Sequence, residues 1–191
     1  MIRRAYILIL FVFIYGMNLN AQTINQLDAN GKKHGLWKKH YSNGKLKYVG
    51  SFNHGMEVDT FKFFFESGDL KAINYFRSIG ACYSQQFGEG RVLAAEGLYR
   101  DRKKDSVWTY YDQQSALISR ESFSNGIKEG ELITYFNNNK KAEVFVFQND
   151  RKNGPWTQYF EDGKIKAKGS YKDGMLDGEV IYYNSFSRPS I

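Results

Sequence analysis

A unit of about 24 residues recurs from Gly31 to Asn184, and no other feature constrains the fold as strongly. Lys33-His34-Gly35-Leu36-Trp37 lies over Lys152-Asn153-Gly154-Pro155-Trp156, and the register then holds without a gap. Tyr41 falls on Phe160, Gly44 on Gly163, Gly50 on Gly169, Phe52 on Tyr171 and Gly55 on Gly174. Seven units can be laid out, with first landmarks at Gly35, Asp59, Ala81, Ser106, Gly130, Gly154 and Gly178. The third, from Ala81 to Arg102, is the poorest copy and carries a small insertion or deletion; the seventh stops near Asn184. A fixed period of this size means one supersecondary unit copied along an axis, each copy too small to bury a face alone. This argues against a pocketed enzyme fold.

Within a unit the pattern is strand, turn, strand, turn. Ser42-Asn43-Gly44-Lys45 and Glu161-Asp162-Gly163-Lys164 mark a first turn, and Asn-Gly or Asp-Gly between apolar runs predicts a type I′ hairpin with positive φ at both central residues. His54-Gly55, Asn125-Gly126 and Asp173-Gly174 mark a second. Aromatic residues make up 17% of the chain and fall in columns. Trp37, Phe61, Trp108, Leu132 and Trp156 form one column on the first strand; Phe52, Phe76, Tyr99, Phe123, Phe147 and Tyr171 form another on the second. Alternation by two puts Tyr41, Phe65, Phe136 and Phe160 on the face of Trp37, and puts His40, Phe64, Tyr111, Tyr135, Tyr159 and Tyr183 on the other. Gly50, Gly97 and Gly169 leave room for a ring on the neighbouring strand. The expected fold is all-β, an elongated single-sheet solenoid of tandem β-hairpins.

The pattern Gly-x-Trp-x-x-x-Tyr-x-x-Gly-x-Leu-x-x-x-Gly-x-Phe-x-x-Gly, in Gly35 to Gly55 and Gly154 to Gly174, resembles the MORN repeat. It is most similar to the bacterial variant in proteins labelled YwqK-type antitoxins. The resemblance implies curved strings of MORN-like hairpins that serve as binding or assembly modules, linked in the family to membrane association and dimerisation. The antitoxin label implies neutralisation of a partner toxin.

Residues 1–21 read as a signal peptide: Arg3 and Arg4, an apolar run from Ala5 to Tyr15 too short to favour a spanning helix, and cleavage after Ala21. Residues 22–30 then form a linker, 31–184 the repeat domain and 185–191 a tail. The expected address is outside the cytoplasm: periplasmic, outer-membrane-associated or secreted. Loss of Arg3 and Arg4 lowers the net charge from +7 to +5. Two columns are mostly basic: Lys33, Glu57, Lys104, Lys128, Lys152, Leu176 in a loop, and Lys45, Asp69, Arg91, Ala116, Lys140, Lys164 in a turn. They either meet acidic surfaces or simply solvate turns and edges. The exported address speaks against nucleic acid.

No nucleophile elbow, phosphate loop or dinucleotide fingerprint occurs. His34, His40 and His54 share the first unit without Cys or carboxylate ligand spacing, so no metal, cofactor or catalytic residue is assigned. Cys82, the one cysteine, forms no internal disulfide and reads as a small buried side chain, with an intermolecular disulfide or a reactive thiol as the alternative. The functional expectation is a non-enzymatic exported module that binds a protein or an envelope surface. Its candidate face is the column His40, Phe64, Tyr111, Tyr135, Tyr159 and Tyr183, and self-association through the sheet ends is a further expectation. The alternative is an antitoxin-like neutraliser.

Overall fold

Two kinds of turn divide the chain into strands of about equal length. The structure, a computed structural model, describes residues 23–190, so the signal peptide and its cleavage site lie outside the described residues. The strands are β1 (Gln26–Leu27), β2 (Lys33–His40), β3 (Leu46–Asn53), β4 (Met56–Phe64), β5 (Leu70–Ser78), β6 (Ala81–Phe87), β7 (Leu93–Arg100) and β8 (Lys103–Tyr111). There follow β9 (Leu117–Ser124), β10 (Ile127–Tyr135), β11 (Lys141–Gln148), β12 (Arg151–Tyr159), β13 (Ile165–Lys172), β14 (Met175–Leu176), β15 (Ile181–Tyr183) and β16 (Pro189–Ser190). They form one open antiparallel sheet in which β1 to β13 keep sequence order, β15 and β16 follow, and β14 pairs beside β13. The fold is all-β, a single-sheet solenoid of tandem hairpins.

The turn chemistry differs from the expectation in a definite way. In the first turn only Gly44 takes positive φ, at 80°. Tyr41 donates its N–H to Lys45 O (2.8 Å) and accepts from Gly44 N–H (3.0 Å), and the same pair recurs at Phe65, Phe136 and Phe160. This is a longer hairpin loop closed by one left-handed residue, not a type I′ turn. Asn43 instead accepts from Lys45 N–H through Oδ1 (2.9 Å). The second turns are the two-residue mirror type, with positive φ at both His54 and Gly55, Asn125 and Gly126, and Asp173 and Gly174.

Bulges complete the unit. The pairing shifts at His40, Phe64, Phe87, Tyr111, Tyr135 and Tyr159, the last residue of each of those strands. Tyr41, Phe65, Phe136 and Phe160 therefore lie beyond the strand ends, where alternation by two no longer assigns a face. A second irregularity uses the unit landmarks. Gly35, Asp59, Ser106, Gly130, Gly154 and Gly178 all have positive φ. Ala81 does not, because the third unit lacks this bulge. Its true landmark is Cys82, paired with Phe76 and Tyr99, and Ser84 stands between Asn74 and Gly97 where Phe61 and Trp108 stand in their units. By the same register Val92, not Arg91, takes the place of Lys45 in the turn column, since Gly88 N–H donates to Val92 O as Tyr41 N–H does to Lys45 O.

The core is one side chain thick. Trp37 stands opposite Gly50, Phe145 opposite Trp156 and Trp156 opposite Gly169. Phe61 and Trp108 are 1% and 0% exposed. The ring of Trp108 lies across Gly97, where an added Cβ would come within 2.5 Å of it, and Trp108 Nε1 donates to Leu98 O (2.9 Å). Phe61 lies across Gly50 in the same way. With no second layer to pack on among the described residues, the rings bury themselves against their own sheet, Phe61 edge to face with Phe52 and Phe76. At the ends, part of the stretch expected as a linker is β1, whose Gln26 and Leu27 pair with His34 and Lys33. The tail contributes β16, with Pro189 paired to Tyr183.

Candidate partner-binding face

The tyrosine column is set by the bulge that ends the first strand of each unit. His40, Phe64, Tyr111, Tyr135, Tyr159 and Tyr183 are the last residues of β2, β4, β8, β10, β12 and β15. Successive members are two strands apart, about 10 Å, except Phe64 and Tyr111, which are four strands apart. His40 is exposed and the other five are half-buried. The third unit contributes Phe87, which the sequence register misses because the absent bulge displaces it.

Tyr111 establishes the face. Its hydroxyl donates to Glu96 Oε1 (2.8 Å), and Glu96 pairs with Thr109, on the side opposite Trp108. Gln85 Nε2 donates to Glu96 Oε2 (3.2 Å) and Tyr75 Oη donates to Gln85 Oε1 (3.4 Å), so a polar chain runs across four strands. Burial pushes the Glu96 carboxyl upward, but hydrogen bonds from Tyr111, Gln85 and Tyr83 outweigh it and hold it below its ordinary value. Burial, then the bond to Glu96, pushes the Tyr83 hydroxyl up to about 12. Tyr83 and Val107 stand on this face and are 40% and 51% exposed.

The chain itself engages much of both basic columns. Lys45, Lys140 and Lys164 each donate an ammonium N–H to a carbonyl in the next unit: Ser67 O (2.6 Å), Asp162 O (3.0 Å) and Ser185 O (2.9 Å). Lys33, Lys104, Lys128 and Lys152 lie over the ring row. Lys104 Nζ is 4.7 Å from the Trp108 ring centroid and donates to Tyr110 Oη (2.7 Å), and burial lowers its pKa. Such contacts are attractive because ring faces carry negative charge density. The turn lysines therefore staple units together and the loop lysines lid the core.

His54 Nδ1 lies 2.6 Å from Asp28 Oδ2, and the His34 and His54 rings are 5.1 Å apart. Among the described residues no group of three or more His, Cys, Asp or Glu side chains gathers as metal ligands would. Cys82 is 6% exposed, and burial and the Glu57 carboxylate push its thiol up to about 11, well away from the range of a reactive cysteine.

Two segments, residues 33–54 and 152–173, match the family described as MORN repeat variant. They are the first and sixth units, and one continuous row of hairpin-paired strands joins them through the units between. No curated protein matches the chain, so no relative supports the antitoxin label.

Proposed function

We propose that the protein is a non-enzymatic binding module that is exported and receives a partner protein or an envelope surface on the tyrosine face. The observation that carries this reading is the sheet itself. It is a single layer among the described residues, and its tyrosine face carries exposed Tyr83 and Val107 beside the half-buried column of Phe64, Tyr111, Tyr135 and Tyr159. Apolar surface left open on a regular array of strands marks an interaction site more often than a catalytic one. Engagement of the lysine columns within the fold favours apolar and hydrogen-bonding recognition over a charge-driven one. Export rests on Arg3, Arg4 and the apolar run that follows.

A photo-reactive residue at Val107, with a control at Lys39 on the opposite face, tests the face in the native cell. Adducts at 107 that are absent at 39 and are lost in Tyr111→Ala support it. Equal adducts at both positions, or none at 107, overturn it. The intact mass of the native protein tests export: a chain starting at Gln22 outside the cytoplasm is expected, and a full-length cytosolic chain removes the export reading. The antitoxin alternative requires loss of viability when this gene alone is deleted, and normal growth removes it.

A further inference from the structure

The repeat supplies its own template for the ring face. In regular units a ring occupies the central row and a lysine ammonium hangs over it. Lys33 Nζ is 4.7 Å from the Trp37 centroid, Lys104 Nζ 4.7 Å from Trp108 and Lys152 Nζ 3.6 Å from Phe145. Between the second and third units both parts are missing. Ser84 holds the place of the ring. The lysine column reads Glu57, paired with Phe52 as Lys104 is with Tyr99, and then Gly80. Gly80 is identified by its carbonyl, which accepts from Asp101 N–H (2.6 Å) as Lys33 O accepts from Gly55 N–H (2.8 Å).

Where the lysine cover is missing, at Glu57 and Gly80, lies a cavity of about 690 Å³ lined by the rings of Phe52, Phe76 and Tyr99, with Glu57, Asn74 and Cys82 on its walls. Asn74 Oδ1 is buried there without a hydrogen-bond partner, an acceptor that costs free energy until a donor arrives. No ion pair among the described residues involves Glu57. Asp101 and Arg102, also on the lining, carry opposite charges and offset one another. Ring faces, a free carboxylate and an orphan acceptor all favour a cation.

We propose that this cavity binds an organic ammonium ion carried on an aromatic or apolar body. The ammonium takes the place that Lys33, Lys104 and Lys152 fill elsewhere, beside Glu57 and Asn74 Oδ1. The body lies against the rings of Phe52, Phe76 and Tyr99. The amine is supplied either by a free small molecule or by a lysine side chain of a bound protein. The site lies on the face opposite the tyrosine column, so it stands or falls independently of that face.

NMR titration of the full chain with benzylammonium, and with benzyl alcohol as the neutral isostere, tests it. Saturable shifts at Gly80 and the Asn74 side chain are expected for the amine, with the alcohol about tenfold weaker or more. Glu57→Lys supplies a tethered ammonium, as the neighbouring units do, and is expected to abolish binding while melting as the parent does. Cys82→Phe projects a ring from the cavity wall without changing charge and is expected to abolish binding as well. Equal binding of amine and alcohol, no binding of either, or full binding by both variants overturns the proposal. N-acetyl-lysine amide distinguishes the sources: tighter binding than benzylammonium identifies a protein side chain, and weaker binding a free aryl amine.

Discussion

Trp108 has no exposed surface, and it reaches that state by lying across Gly97 on the adjacent strand rather than against a second layer. Gly97→Ala places a methyl within 2.5 Å of that ring and is expected to cost about 1–3 kcal/mol by overpacking, read as a lower urea midpoint with an unchanged slope. An unchanged midpoint would remove the ring-over-glycine account of the core. Glu96 makes the second residue-scale case. Its carboxyl is lowered in the folded sheet, so its contribution is complete above the ordinary carboxylate value of 4.5 and is lost as pH falls through the folded value. Glu96→Gln is therefore expected to flatten the acid limb of the stability–pH curve below that value while leaving neutral-pH behaviour closer to the parent. Urea unfolding over an acid pH series checks this, and parallel curves would show that the Tyr111 and Gln85 bonds carry no linkage.

At the level of strands and turns, the landmark that begins each unit is a bulge, and its residue type answers to backbone conformation. Gly154 and Gly130 sit at φ 118° and 102°, where side chains rarely go, while Ser106 and Asp59 sit at 59° in the ordinary left-handed well. Gly154→Ala is thus expected to destabilise by more than about 1 kcal/mol, its Cβ also meeting Val146 at 3.3 Å, whereas Ser106→Ala is expected to be milder. Comparative thermal unfolding decides, and the reverse order would mean that the two bulges are not equivalent. Turn residues in the sequence mark the right places, but the type I′ geometry belongs to the second turn. Asn43-Gly44 satisfies the rule for a mirror turn, yet the Asn43 side chain donates to Glu66 O of the next unit, and the longer loop delivers that contact. Local propensity names the residues; the neighbouring unit selects the conformation.

Across the molecule, the main strands pair with their sequence neighbours in one row, so stability should follow the number of stacked units. Deleting residues 106–129, one whole unit, removes two strands and rejoins equivalent positions. The product is expected to remain a folded sheet by far-UV circular dichroism, with a smaller urea slope because less surface is exposed on unfolding. Deleting only 106–117 reverses the strand direction at the junction and is expected to abolish cooperative unfolding. Equal behaviour of the two deletions would contradict a one-dimensional architecture. The cavity beside Glu57 and Cys82 also belongs to the whole sheet, since three successive units supply its walls and no one unit contains it.

The period, the two strands per unit, the ring columns and the small residues beneath them are all legible in the sequence. Those features are written in spacing, and spacing of turn residues and aromatic side chains acts within one unit and its immediate neighbours. Gly50 and Gly97 can be read in this way because a missing side chain beside a column of large ones leaves a space that a neighbouring ring fills. The places where pairing slips emerge only when the strands come together. A bulge is a relation between two strands, so its loss in the third unit, the true equivalence of Cys82, Ser84 and Phe87, and the resulting gap in the ring row are not written in any single strand. The lysine columns teach the same lesson. Their charge is plain in the sequence, but whether Lys45 faces water or staples Ser67, and whether Lys104 meets a partner or covers Trp108, depends on what the next strand places within reach.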